Sequence, residues 1–552
     1  MARNIAIQRE QKAVHADING LNQKGDDLQW PVKVVSDLKL SGNGFPHDML
    51  LFQKDYIDII PPTWAAISMS LCENGQALYL TKMQAGRTPF TLRLPIARNN
   101  SRDVDEDVFD FGQGKAELRE IVDLANHSAH SARELSGREA KKAWWEERES
   151  LDKRLKGLLD NIEKVWLGGF KGIFSQQQRR PDLLAKFEES FQSILDKHLP
   201  SRQKPRKKNK VTRVTLDAQI LELFVGLWDG CGDGCDLDEA LTDLLYFVID
   251  ILQFYGERNA YDEIDFDSIV IETQDVLRCY HEAALAMSST NEERHTILIL
   301  DKALHAFPWE SLPCMDGLAI SRLPSLGCLR ERLLDQQRSV SSGPEGHYID
   351  RENGAYILNP GGDLKTTQAT FESDLKSLYT WTGITNSDPS EAEVKENLRA
   401  KDLYLYFGHG SGSQYVRSKT IKSLEKCAVT ILMGCSSGAL NDAGEFQPYG
   451  PPIDYMLAGC PSLVATLWDV TDKDIDRFAK CMFECWGLFS SRGSGNGQAA
   501  KGSGEGTEKI YESSASKKMS LVEAVAAARK ACNFRYLTAA SVCVYGIPVY
   551  FK

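Results

Sequence analysis

Two stretches decide the fold: DLYLYFGHGSG at residues 402–412 and AVTILMGCSSG at 428–438. In each, a short run rich in aliphatic and aromatic side chains stops at a glycine. Runs of this length, bounded by turn residues, fit strands buried on both faces. His409 follows the first glycine and Cys435 follows the second, 26 residues apart, which leaves room for one crossover between neighbouring parallel strands. In open parallel sheets, functional groups gather at the carboxyl ends of the strands. A cysteine nucleophile needs a base within reach, and flanking glycines let backbone and substrate approach closely. Taken singly, a buried cysteine is more often a packing group and a histidine in a glycine loop can simply cap a turn. Together, each at a strand end in a Gly/Ser loop, they point to a thiol nucleophile and an imidazole base.

The texture around these stretches repeats their pattern. HTILIL (295–300), AYILNP (355–360), SLVATLWDV (462–470) and VYGIPVYF (544–551) read as further strands. Helical periodicity fills the intervals near 325–338, 367–380, 389–399, 471–488 and 519–533. Strands alternating with helices predict an α/β fold with a mostly parallel sheet flanked by helices. The front of the chain reads differently. Residues 48–96 carry strand patterns separated by the turn signals ENGQ and AGRT, and helical patterns follow at about 115–198, 215–255 and 268–288. In the first of these, Leu151, Leu155, Leu158, Ile162 and Val165 share one face. The expected organisation is therefore a mainly helical domain with some strands at 1–290 and an α/β domain carrying His409 and Cys435 at 291–552. Residues 490–518, rich in Gly and Ser, are expected to be a disordered insertion.

Composition narrows the class. Of 552 residues 42% are hydrophobic, and 42 glycines bring the apolar share to that of an ordinary globular protein, with enough chain for a large core. Net charge is 65 − 77 = −12, which does not suit a general nucleic-acid coat. The basic run SRQKPRKKNKVTR at 201–213 holds seven Lys or Arg but no aromatic. It reads as a solvated loop, so direct DNA binding is not expected. Thirteen scattered cysteines in a chain of this length are no secreted disulfide framework. The pair Cys231 and Cys235 lacks the further ligands a zinc site needs. No apolar run approaches the ~20 residues that cross a bilayer, and no contact with a membrane is expected. The expected setting is intracellular.

Further motifs make the chain recognisable. YFGHGSGSQY (406–415), LMGCSSGAL (432–440), LWDVTDKDID (467–476) and DKALHAFPWESLP (301–313) closely resemble separase, a caspase-related cysteine endopeptidase. SRLPSL (321–326), ILNPGGDL (357–364) and VYGIPVY (544–550) agree with it. IIPPTWAAISMSL and GRTPFTLRLPI are similar to the family's substrate-binding domain. The resemblance implies a caspase-like fold and His409 with Cys435 as the catalytic dyad. It implies cleavage of the kleisin subunit of cohesin after Arg, at acidic-x-x-Arg sites, releasing sister chromatids at anaphase. Securin would be the inhibitory partner, the cytoplasm and nucleus the location, and a helical-repeat region of the same protein would precede this portion.

The chemistry expected of the pair is nucleophilic attack by the Cys435 thiolate, with His409 promoting its formation and protonating the leaving amine. The backbone N–H groups of Gly410 and Cys435 are the expected oxyanion donors. No metal or organic cofactor is required. A non-catalytic scaffold of the same fold is the alternative, disfavoured because it has no need of both His409 and Cys435. Selectivity for Arg requires a carboxylate in the pocket. Among Asp469, Asp472, Asp474 and Asp476, a helix start after Thr471 accounts for Asp472 and Asp474 electrostatically. Asp476 is thus the expected main ligand of the substrate guanidinium, with Asp474 beside it and Trp468 as an apolar wall for the arginine stem. Two acidic-x-x-Arg matches within the chain, Glu396–Arg399 and Asp474–Arg477, fall in predicted helices and are not expected to be cut.

Overall fold

The computed structural model describes residues 9–10, 13, 45–98, 109–131, 137–177, 180–203, 213–228, 237–287, 294–338, 342–343, 345–490 and 519–552. Most of the basic run at 201–213 and of the insertion at 490–518, and Cys231 and Cys235, lie outside the described residues. The chain forms two compact units. One holds Ile60–Ile121 and Lys153–Leu318, and the other holds Met1–Ile59, Val122–Asp152 and Ala319–Lys552. The change of texture at 290 that separates 1–290 from 291–552 does not coincide with these units. Helices α1 (Phe111–Ser131) and α2 (Arg138–Asn161) each contribute residues to both.

The helix-rich unit carries four strands, β1 (Trp64–Leu71), β2 (Ala77–Met83), β3 (Phe90–Pro95) and β4 (His295–Leu300), in the order β3-β2-β1-β4. β1 runs antiparallel to β2 and parallel to β4, with Trp64 opposite His295. Its helices include α3 (Pro181–His198), α4 (Ala218–Leu227), α5 (Asp238–Phe254) and α6 (Phe266–Met287). In α3 the buried residues Leu184, Phe187, Phe191, Ile194 and Leu195 recur at helical spacing and line one face. Phe191 meets Phe224 of α4 at a ring separation of 4.9 Å. Buried ion pairs stand in this unit. Arg98 meets Asp243 at 3.0 Å and Arg202 meets Glu257 at 2.8 Å.

The sheet unit contains β5 (Ile320–Arg322), β6 (Ser342–Gly343), β7 (Gly346–Ile349), β8 (Gly354–Leu358), β9 (Thr382–Thr385), β10 (Leu403–Phe407), β11 (Val429–Leu432), β12 (Ser462–Thr466), β13 (Val542–Gly546) and β14 (Val549–Phe551). Their main sheet has the order β5-β13-β12-β11-β10-β8-β9. β9, β8, β10, β11 and β12 are mutually parallel, and β13 runs antiparallel to β12. Every residue of β8, β10, β11 and β12 is buried, as their uninterrupted apolar runs require when helices cover both faces. Its helices include α7 (Leu326–Arg338), α8 (Lys365–Lys376), α9 (Glu391–Ala400), α10 (Asp472–Trp486) and α11 (Leu521–Ala528). Phe371 of α8 stacks on Phe407 of β10 at 4.5 Å, and Phe483 of α10 meets Phe407 edge-on at 6.2 Å, so one aromatic group ties both helices to the sheet. This is the mostly parallel, helix-flanked α/β architecture that the alternating pattern implies. VYGIPVYF differs in one respect. The chain breaks at Ile547-Pro548, leaving β13 in the main sheet and β14 in a small sheet with β7 and β6, because proline has no N–H for a ladder.

Candidate active site

Four neighbouring parallel strands, β8, β10, β11 and β12, end at the same edge of the sheet. The segments that follow them carry Asp363, His409, Cys435 and Trp468–Asp469. The register aligns Tyr406 with Leu432, and Met433 N–H donates to Tyr406 O at 2.9 Å, so the glycines after β10 and β11 fall level. At Gly434 a methyl group would lie 2.0 Å from Gly410 O and 2.5 Å from Gly408 O. Only glycine lets the two loops touch backbone to backbone, which brings together the loops that carry His409 and Cys435. Gly410 itself has a φ of +61°, with open space where a side chain would point. Its N–H makes no hydrogen bond among the described residues.

The imidazole of His409 is half-exposed, and its Nε2 lies 2.7 Å from Asp363 Oδ2. Asp363 is held by its own loop. Buried Asn359, with a φ of +52°, accepts the Leu364 N–H at 2.8 Å through its side-chain oxygen. Its amide donates to Gln368 and to Asn386, each at 3.0 Å. The backbone N–H of Asn359 donates to Phe407 O at 2.8 Å, which ties this loop to the end of β10. On the other side, the Tyr406 hydroxyl donates to His409 O at 2.9 Å. Burial raises the pKa of that phenol, so it stays a donor.

Cys435 is partly buried, and its thiol donates to Val470 O at 3.5 Å. Two residues on, the Ser437 hydroxyl donates to Leu432 O at 3.0 Å and accepts the Thr466 N–H at 3.1 Å. Thr466 Oγ1 donates in turn to Gly434 O at 2.8 Å. These bonds staple the Cys435 loop to the end of β12.

The acidic residues on the β12 side differ in what surrounds them. Thr471 occupies the cap position of α10 with an extended backbone, yet its side chain makes no capping bond. Asp474 is buried and committed. Its Oδ1 accepts the Asn533 N–H at 2.8 Å and its Oδ2 the Phe534 N–H at 3.1 Å. Trp468 is buried, with its indole N–H on Leu537 O at 2.8 Å. Asp476 is equally buried, but among the described residues its carboxylate has a single neutral partner, the Thr367 hydroxyl at 2.9 Å. Burial, with a smaller push from the Asp472 charge, raises its pKa to about 7 against the lowering effect of Thr367. Thr367 lies in α8, four residues beyond Asp363, so one short segment touches both His409 and Asp476. Both acidic-x-x-Arg matches are helical, in α9 and α10, and Glu396 and Arg399 pair with each other at 2.9 Å.

Residues 73–475 match the family model described as "Separin, protease domain". The chain belongs to the separin protease-domain family. The separin of Emericella nidulans is 50% identical over 543 residues, which cover 98% of this chain and 25% of that protein. The separin of Schizosaccharomyces pombe is 43% identical over 506 residues, 91% of this chain and 26% of that protein. The chain thus spans about a quarter of the length of the curated separins it matches. Among solved structures, a crystal structure of the Saccharomyces cerevisiae separase–securin complex at 2.6 Å superposes with a TM-score of 0.77 and 33% identity, over 91% of this chain and 31% of that one. Within this separin-family chain, sequence reasoning singled out His409, Gly410 and Cys435 but passed over Asp363. The available signal was ILNPGGDL, a third apolar run that ends in a glycine loop with a polar side chain.

Proposed function

We propose that this chain is a cysteine endopeptidase in which Cys435 is the nucleophile and His409 the general base and acid. The observation that carries the reading is Gly434 packed on the Gly410 backbone, which brings the His409 and Cys435 loops together at one sheet edge. Asp363 takes Nε2 of the imidazole, which leaves Nδ1 as the nitrogen that exchanges the reacting proton. The Cys435 sulfur attacks the scissile carbonyl after giving its proton to His409. The tetrahedral oxyanion is held by the N–H groups of Gly410 and Cys435. Collapse expels the amine, protonated by His409, and leaves a thioester. Water, deprotonated by His409, then releases the acid and regenerates the thiol.

The same reading assigns the substrate. Asp476, buried with no cationic partner among the described residues, suits a substrate guanidinium, and Thr367 links its position to Asp363 and His409. Asp474 and Trp468, whose polar atoms are already engaged, support the pocket from behind instead of lining it. The family suggests the kleisin subunit of cohesin, cut at acidic-x-x-Arg sites in the cytoplasm or nucleus to release sister chromatids at anaphase. The solved relative in complex with securin favours securin as the inhibitory partner. The length of the matched separins favours a further region of the same protein beside this one. Cys435→Ser should abolish cleavage of an Arg-containing kleisin peptide while the melting temperature stays within a few degrees of wild type. Undiminished cleavage by that variant would refute the assignment.

A further inference from the structure

Among the described residues, three non-glycine positions have positive φ: Asn359, Asn386 and Ser436. Asparagine tolerates this region, because its short amide can hydrogen-bond locally. Serine does so less readily, and Ser436, at +52°, immediately follows the proposed nucleophile. A residue held there needs surroundings that over-determine it. The surroundings are present, and they converge on Asp469. The Ser436 hydroxyl donates to Asp469 Oδ1 at 2.6 Å, and the Ser436 N–H donates to the carbonyl of the preceding residue, Trp468, at 3.2 Å. Asp469 is anchored from behind in its turn. Its Oδ2 lies 3.0 Å from His130 Nε2, and its backbone N–H donates to Asn126 Oδ1 at 3.0 Å. Both Asn126 and His130 lie in the part of α1 that belongs to the sheet unit.

We propose that Asp469 is a positioning residue for the nucleophile: it holds Ser436 left-handed, with α1 as its anchor, and thereby sets the direction in which Cys435 faces the substrate. The inference rests on Cys435 being the nucleophile. The φ of Ser436 orients the peptide plane that leaves Cys435, so relaxing it to a right-handed value swings the Cys435 sulfur and N–H away from the carbonyl they act on. Asp469 spends one oxygen on Ser436 and the other on His130, which suits a brace better than a substrate ligand.

Glycine takes positive φ without a brace, and alanine does not. This difference separates positioning from ordinary stabilisation. In the 552-residue chain, Asp469→Ala should lower kcat on an Arg peptide by roughly tenfold or more with KM within about twofold, as expected for a displaced catalytic group. Adding Ser436→Gly to that background should recover most of the loss, and Ser436→Ala should not. If Asp469→Ala fails to fold, Ser436→Ala and Ser436→Gly compared alone in the wild-type background decide the matter. Both lack the hydroxyl, and only the alanine variant should lose kcat. The proposal is overturned if the two Ser436 variants have the same kcat, if Asp469→Ala changes KM and leaves kcat alone, or if Ser436→Gly gives no recovery. An active Cys435→Ser variant would instead overturn the assignment of the nucleophile, which the Ser436 comparison does not test.

Discussion

In the helix-rich unit, Arg98 and Asp243 are both nearly inaccessible and lie 3.0 Å apart, and Arg202 and Glu257 do the same at 2.8 Å. In the sheet unit, Asp476 is as deeply buried, but among the described residues its one hydrogen-bond partner is the Thr367 hydroxyl. In the first arrangement each buried charge meets its opposite, and the carboxylates take further backbone bonds. Gly169 N–H donates to Asp243 and Val214 N–H to Glu257. The second has no cation beside it among the described residues, and burial raises the carboxyl's pKa to about 7. We read a buried carboxylate without a cation beside the ends of parallel strands as a place for a ligand, and a buried ion pair as a joint of the fold.

Three outcomes would sharpen or break this contrast. Asp243→Ala strands the Arg98 guanidinium and should cost about 3–5 kcal/mol of stability, measured by denaturant unfolding. A loss below about 1 kcal/mol would mean that solvent already screens the pair. Asp476→Asn should lower kcat/KM for Arg peptides by at least about a hundredfold, because a desolvated guanidinium loses its charge partner. Near wild-type cleavage would move the Arg pocket elsewhere. The same substitution should stabilise the free protein in a pH-dependent way. The folded pKa of about 7 lies above the ordinary value of 3.8, so burial costs nothing while both states are protonated. The penalty grows as pH rises between these values and is complete above the higher one. Asparagine keeps an oxygen for Thr367 and avoids the charge. Its melting temperature should therefore exceed wild type by several degrees near pH 8 and by almost nothing near pH 4. A pH-independent difference would mean that Asp476 is ionised throughout.

The strands at the heart of the sheet unit were legible because burial on both faces writes itself as an uninterrupted apolar run. His409 and Cys435 stood out because each such run stops at glycine. Asp363 was not, since its role depends on β8 lying beside β10, and strand order is a property of tertiary packing that local pattern does not carry. The choice between Asp474 and Asp476 was half legible. Helix-start electrostatics explained why Asp474 sits early in α10, but its grip on the Asn533 and Phe534 amides comes from a segment about sixty residues away. The membership of residues 122–152 in the sheet unit left no sequence trace either. Its basis is a few long-range contacts such as Asn126 to Asp469 and Asp152 to the Tyr536 and Leu537 amides, both at 2.8 Å.

One measurement bears on the nucleophile and the pocket together: the rate at which a peptide ending in an arginyl acyloxymethyl ketone alkylates the chain, compared with its norleucyl analogue, with the modified residue read by mass spectrometry. Wild-type protein should be labelled once, at Cys435, and much faster by the arginyl reagent. Asp476→Asn should still be labelled at Cys435 but should lose the preference for arginine. Labelling at another cysteine while Cys435 stays unmodified, or an arginine preference untouched by Asp476→Asn, would contradict the account.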